Sequence, residues 1–300
     1  YVSIPNYYTR NIKLRSRKHG GKTIANIVGE LKKHDFIKGI VLGGSRATGT
    51  ATENSDIDIG IYYEKGKVDF EELNITAQQL DDAHREHLIC REGEWGNWVN
   101  CGGWLVVNSF HVDFILRDIA RVKECITQTD NGNITMHYQT GHPHAYLNVM
   151  YRGELASCKV LYSKDNDFSK LKEYAECYPD SLQSALIAFF LFEAKFSCDL
   201  AKSYSQNNDI YYIVGHLFRS ISALNQVLFA MNQTYCLNEK KAVLRIERFS
   251  IRPKDYCNRI NEILTLTPDN CLIKKINKLE QLCYEVKELA DRARNANRKV

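Results

Sequence analysis

Two short runs hold residue types from which phosphoryl chemistry is built. The first is Val41-Leu42-Gly43-Gly44-Ser45-Arg46-Ala47-Thr48-Gly49-Thr50, and the second is Asn54-Ser55-Asp56-Ile57-Asp58-Ile59-Gly60. Two glycines at a strand end let the backbone come close to a ligand. A serine hydroxyl and exposed N–H groups can cradle phosphate oxygens, and Arg46 can add charge-assisted bonds. Asp56 and Asp58 stand two apart on an expected strand, hence on one face, where their carboxylates offer hard oxygen donors to a cation such as Mg²⁺. Without a cation or a proton, two such charges repel, so their shared face is costly unless it serves a purpose. Asp113, in His111-Val112-Asp113-Phe114-Ile115-Leu116, has the matching phase on a later strand and is the candidate third carboxylate. Nucleotidyl transfer needs this kind of set, because an ion activates the attacking hydroxyl while another neutralises the triphosphate and its leaving pyrophosphate.

The elements that must position these groups follow from apolar periodicity. Thr23–Lys33 carries Ile24, Ile27, Val28 and Leu31 at helical spacing and leads into an apolar strand, Ile37–Leu42. Gly43 and Gly44 end that strand, and a polar loop is expected before Ile57–Tyr63 resumes alternation, with Ile57, Ile59 and Ile61 on one face and Asp56, Asp58 and Gly60 on the other. A helix is expected near Glu71–His87, then two strands, Trp104–Asn108 and His111–Leu116, joined through Ser109 and Phe110. That makes a mixed sheet of four or more strands. From about Asp167 the texture turns helical. Asp180 or Ser181 is placed to cap a helix running to about Ser205, and Asp209 to cap another through Met231 that buries Ile213, Leu217, Ile221, Leu224 and Leu228. Leu272, Ile276, Leu279, Cys283, Val286 and Leu289 form the stripe of a last bundle helix, able to serve an internal core or an interface. The expected fold class is α+β: a sheet-containing domain over 1–164 and an all-α bundle over 165–300.

The set Gly44-Ser45, ten residues, Asp56-x-Asp58, then Asp113 on a later strand, resembles the nucleotidyltransferases of the DNA polymerase β superfamily. The resemblance is firm over about Ile37–Asp118. More loosely, the helical second half resembles the bundle of antibiotic nucleotidyltransferases that act on aminoglycosides and lincosamides. It implies that Asp56 and Asp58 bind two Mg²⁺ ions, and that Asp113 either binds one of them or takes the proton of the acceptor hydroxyl. It implies a nucleotide-binding role for Gly43, Gly44 and Ser45, with Ser45 on the β- and γ-phosphates. Arg46 is a helper, and Lys240 in Asn238-Glu239-Lys240 is the candidate cation reaching the triphosphate from the second half. If Asp113 is only a ligand, Glu193 or Asp209 is a candidate base. The implied reaction moves a nucleoside monophosphate, AMP from ATP, to a hydroxyl of a small-molecule acceptor such as an aminoglycoside or lincosamide and releases pyrophosphate. The rival readings are a protein-modifying AMP-transferase of the toxin–antitoxin type, whose chains are much shorter than 300 residues, and a non-catalytic nucleotide-binding module. A repulsive triad argues against the latter. Pairing of two copies around a site is also a family habit, so a homodimer is an expectation.

Composition bounds these readings. Three hundred residues, 44% hydrophobic and 25% charged, describe an ordinary globular chain. A net charge of +4 without a dense basic stripe argues against a nucleic-acid partner, although Arg10, Lys13, Arg15, Arg17 and Lys18 precede any acidic residue. The longest apolar run, Ala185–Phe192, is too short to span a membrane, no signal peptide is apparent, and ten scattered cysteines fit a reducing, cytoplasmic interior. The Asn-x-Thr matches at Asn74, Asn133 and Asn232 are then chance. His137, His142 and His144 lack convincing further ligands and are read as loop residues rather than zinc ligands. Trp95, Trp98 and Trp104, with Glu92 and Glu94, are candidates for an acceptor wall, though rim packing weighs more.

Overall fold

In chain order the elements are α1 (Arg17–Leu31), β1 (Ile37–Leu42), α2 (Gly44–Ala47), β2 (Ile57–Tyr63), α3 (Phe70–Leu80), β3 (Cys101–Val107), β4 (Phe110–Asp118) and α4 (Ile119–Asp130), then β5 (Met136–His137), β6 (Tyr146–Leu147), α5 (Val149–Ser157) and β7 (Lys159–Ser163). Helices α6 (Asn166–Glu176), α7 (Asp180–Ser203), α8 (Ile210–Met231), α9 (Ala242–Ile246), α10 (Tyr256–Leu264) and α11 (Leu272–Asn297) complete it. The computed structural model describes residues 17–52, 55–207, 209–265 and 272–297. The class is α+β, a mixed five-stranded sheet with helices followed by a helical region, as the sequence implies.

The chain forms two compact units that interleave: residues 1–91, 102–116 and 158–164 cluster as the first, and 92–101, 117–157 and 165–300 as the second. The last crossing between them falls at 164/165.

In the first unit the strand order is β3-β4-β2-β1-β7, with β1 antiparallel to both β2 and β7. Ile57, Ile59 and Ile61 are fully buried, as are Val112, Phe114 and Leu116 of β4. A slip of one residue in β2 would turn all three isoleucines to solvent, at about 1.5–3 kcal/mol each, so the opposite face is fixed for Asp58. Val107 and Phe110 are joined by Asn108 (φ 52°) and Ser109 (φ 67°), a two-residue hairpin whose left-handed pair matches strand twist. Asp82 holds that turn by accepting the N–H groups of Asn108 (2.8 Å) and Ser109 (2.7 Å).

Several elements differ from expectation, β3 among them, which starts at Cys101 rather than Trp104. Helix α1 starts at Arg17 rather than Thr23. Helix α3 stops at Leu80 instead of reaching His87, because Asp81 leaves helical geometry (ψ 129°) to take other partners. Its fully buried carboxylate accepts the N–H of Val106 (2.9 Å) and the guanidinium of Arg85 (2.6 and 3.0 Å). Strand β7, paired to β1, has no period strong enough to show in the sequence: Lys159 and Val160 are both exposed.

In the second unit, α7 and α8 pack along their length with α11 on both. Asp209 caps α8 as expected, accepting the N–H of Tyr212 at 3.0 Å, and the five expected α8 residues are buried. Neither Asp180 nor Ser181 caps α7. Pro179 occupies the cap position, and the Ser181 hydroxyl donates to the Asp130 carbonyl at the end of α4 (2.6 Å). On α11, Ile276, Leu279, Cys283 and Val286 are buried, while Leu272 and Leu289 are half-buried. No helix among the described residues is long and apolar enough to cross a membrane, and the nine described cysteines carry free thiols.

The Asp81 knot makes a stability prediction. Burial pushes its carboxyl up, but Arg85 and the backbone N–H groups of Val106 and Arg85 outweigh this and hold it at about 2, below the usual 3.8. The resulting stabilisation is complete above pH 4 and is lost as the pH falls toward 2. Asp81→Asn is expected to cost about 1–3 kcal/mol in urea unfolding at pH 7. The deficit against the native protein should shrink at pH 2.5; a pH-independent deficit would contradict this role.

Candidate active site

The site is assembled at the end of β1. Gly43 is extended (φ −103°, ψ −163°), and its N–H donates to the Asp58 carbonyl at 2.8 Å, tying the strand end to β2. Gly44 follows at φ +57°, in the left-handed region, and a Cβ there would collide with the Asp58 carboxylate. Glycine is therefore required at 44 for backbone freedom and also because the carboxylate occupies the side-chain position. At Gly43 a Cβ would make only ordinary contact with Asp58. The expected polar loop opens instead with a short helical turn, α2, closed by Ala47 N–H to the Gly43 carbonyl (3.1 Å) and Thr48 N–H to the Gly44 carbonyl (3.3 Å). Ser45 is half-buried on this turn, and Gly49 (φ +74°) lets the chain leave it.

Asp56 is exposed just ahead of β2, and Asp58 is half-buried within it. Asp113, half-buried on β4, lies on the strand beside β2, between fully buried Val112 and Phe114 and so on the opposite face from the core. Its carboxyl is pushed up to about 6, first by burial and then by the charges of Asp58 and Asp56, with His111 opposing. The three expected carboxylates thus share one electrostatic environment, although among the described residues no group of three or more His, Cys, Asp or Glu side chains closes into a metal cage. All-oxygen, anionic and mutually repelling donors suit a hard divalent ion such as Mg²⁺ or Mn²⁺ and do not suit a soft one.

Arg46 does not reach outward for a ligand with its whole fork. Its Nε donates to the Asp56 carbonyl (3.0 Å) and a terminal nitrogen to the Ser55 carbonyl (2.6 Å), while the guanidinium lies 5.6 Å from the Phe110 ring centre. Phe110 and its neighbour Gly20 were not singled out from the sequence. Their contacts with Arg46 join positions 26 and 64 residues apart in the chain, and no local pattern announces them.

The remaining candidates lie in the second unit. Lys240 is exposed, with its N–H in a turn closed by the Asn238 side chain (2.7 Å). Asp209 is committed to its helix cap. Glu193 is buried, and one of its oxygens already accepts from His144 Nε2 (3.2 Å) and Arg219 Nε (2.7 Å). Burial raises its carboxyl, but His144 and Arg219 outweigh burial and leave it below the usual range. That leaves it poorly suited to take a proton. The three histidines have separate surroundings: His137 stacks on Trp98 (3.8 Å), His144 pairs with Glu193, and His142 faces Glu239 at 3.7 Å. Trp98 also carries the Arg121 guanidinium at 4.2 Å, which makes it a packing residue, whereas Trp104 on β3 in the first unit is 62% exposed.

A pocket of about 430 Å³ lies elsewhere in the first unit, at the far end of β1 and β2 from the glycine turn. Its lysines are paired, Lys38 and Lys67 with Glu64 and Lys164 with Asp35, so it offers no excess charge to a triphosphate.

Residues 22–132 match the family model of the nucleotidyltransferase domain. The nucleotidyltransferase-domain match covers a little over a third of the chain and contains the glycine turn and all three aspartates. Among curated proteins none matches the sequence. Among solved structures, a nucleotidyltransferase-like protein from Exiguobacterium sibiricum is similar over 89% of this chain and 73% of its own, at 9% identity and a TM-score of 0.46.

The shared charge has a measurable consequence. Because the folded-state pKa of Asp113 lies above its ordinary 3.8, its ionisation opposes folding, and stability falls as pH rises from about 4 to 6. In chelator-treated protein, Asp113→Asn is expected to stabilise by about 1–2 kcal/mol at pH 7.5, a value discounted for partial solvent screening, and by much less at pH 4.5. Urea unfolding at the two pH values checks this, and destabilisation at pH 7.5 would contradict it.

Proposed function

We propose that this chain transfers a nucleoside monophosphate, AMP from ATP, to a hydroxyl group of a small-molecule acceptor of the aminoglycoside or lincosamide kind, with release of pyrophosphate. The carrying observation is the convergence of Asp58 and Asp113 on adjoining strands, with Asp56 just ahead of the first of them, beside a glycine turn and within the segment that matches a nucleotidyltransferase domain. Such a domain moves a nucleoside monophosphate from a nucleoside triphosphate, and an NTP and a divalent metal are its typical requirements. The identity of the nucleotide and of the acceptor is our extension.

In this reading Asp56 and Asp58 hold the divalent ions, and Asp113 completes the site. Bound there, Mg²⁺ supplies Lewis-acid activation of the acceptor hydroxyl and neutralises charge on the triphosphate. The N–H groups of Gly44 and Ser45 and the Ser45 hydroxyl hold the β- and γ-phosphate oxygens. The acceptor oxygen attacks the α-phosphorus as the bond to the bridging oxygen breaks and pyrophosphate departs. The hydroxyl proton passes to an Asp113 oxygen, whose basicity is raised first by burial and then by the neighbouring aspartates.

Pyrophosphate release from ATP and, separately, GTP with Mg²⁺, across a panel of aminoglycosides and lincosamides, tests this reading. Acceptor-dependent release with ATP is expected, and Asp56→Asn should lower it at least about 1,000-fold. Bound ATP and Mg²⁺ with no release for any panel member would overturn the small-molecule reading.

A further inference from the structure

We infer that Arg46 is a positioning residue that clamps Asp56 and the segment ahead of it, rather than a ligand for the triphosphate. The inference rests on the reading of Asp56 and Asp58 as metal ligands. Two donors of one guanidinium are spent on consecutive carbonyls, those of Ser55 (2.6 Å) and Asp56 (3.0 Å). The planar fork is fixed in turn by Phe110, 5.6 Å away on β4, and by α1, where a Cβ on Gly20 would lie 3.6 Å from an Arg46 terminal nitrogen and 3.9 Å from the Phe110 ring. Arg46 is therefore boxed between a helix, a strand and the carbonyls it holds.

The need for a clamp is local. Asp56 lies just ahead of the first residue of β2, whereas Asp58 lies inside the strand. Ahead of it, Thr52 N–H donates to the Ser55 hydroxyl (2.9 Å) and Ser55 N–H to the Thr52 carbonyl (3.1 Å). A guanidinium spanning two successive carbonyls sets where the Asp56 Cα sits relative to the glycine turn that carries Arg46 itself. The same residue thus links the expected phosphate-binding turn to the expected metal-binding carboxylate. Lysine cannot reproduce this, because an ammonium is a point charge without the fork.

Arg46→Met and Arg46→Lys in the full chain separate this role from a phosphate contact. The measurements are Mn²⁺ binding by electron paramagnetic resonance, binding of ATP alone with no divalent ion, and amide hydrogen exchange over residues 52–60. Loss of a supporting hydrogen-bonding partner typically weakens a metal site about 10–100-fold. Both variants are expected to bind Mn²⁺ at least 10-fold more weakly and to exchange faster over 55–58, while metal-free ATP affinity changes less than about 2-fold. Restored Mn²⁺ affinity and native exchange in Arg46→Lys, or weakened ATP binding with unchanged exchange, would overturn the inference. The exchange readout needs neither nucleotide nor catalysis. If the native protein binds no Mn²⁺, the metal reading fails by itself, and unchanged exchange in the variants would still refute the clamp.

Discussion

Mutual repulsion among three carboxylates is the constraint on which the rest of the first unit turns. Burial lifts the Asp113 carboxyl, and the charges of Asp58 and Asp56 add to that, bringing it to about 6. A fold gains nothing from such an arrangement by itself, since each ionised neighbour disfavours the next. It holds because the opposite faces of β2 and β4 are among the best buried surfaces in the molecule, with Ile57, Ile59, Ile61, Val112, Phe114 and Leu116 fully enclosed. Apolar burial on one side of the sheet offsets electrostatic cost on the other. In the function we propose, a divalent ion relieves that cost.

The backbone around the carboxylates is shaped to the same end. Gly44 is without a side chain where Asp58 needs the space, and its left-handed φ turns the chain into α2. Gly43 links strand and turn by one hydrogen bond to the Asp58 carbonyl. Arg46 returns from the turn to hold the carbonyls of Ser55 and Asp56. The glycine turn and the Asp56–Asp58 segment are therefore one hydrogen-bonded object, in which a shift of either is felt by the other.

Much of this was legible in the sequence, and what was not shares a physical cause. A continuous apolar run located β1 and period-two alternation located β2 to the residue, because buried and one-face-buried strands leave clean patterns, and Asp209 marked the start of α8 because a cap is a local device. The carboxylates could be named for the same reason: their face follows from spacing alone. The end of α3 was missed because Asp81 exchanges helix geometry for partners at Arg85 and Val106, and the latter is 25 residues away. Ser181 looked like a cap, yet its hydroxyl is spent on Asp130 from another helix. Arg46 was readable as a cation beside the glycine turn, but its engagement with Ser55, Asp56 and Phe110 depends on how distant segments meet. Short-range chemistry shows in the sequence, and long-range choice of partner does not.

The central claim is that these three aspartates together hold the divalent ions of a nucleotide-bound site. A crystal structure with Mn²⁺ and a non-hydrolysable ATP analogue, with anomalous scattering recorded at the manganese edge, tests it most directly. The account predicts anomalous peaks at bonding distance, about 2.0–2.3 Å, from carboxylate oxygens of Asp56 and Asp58, with Asp113 ligating at least one. Nucleotide bound with its manganese held elsewhere, and no peak at these carboxylates, would contradict it.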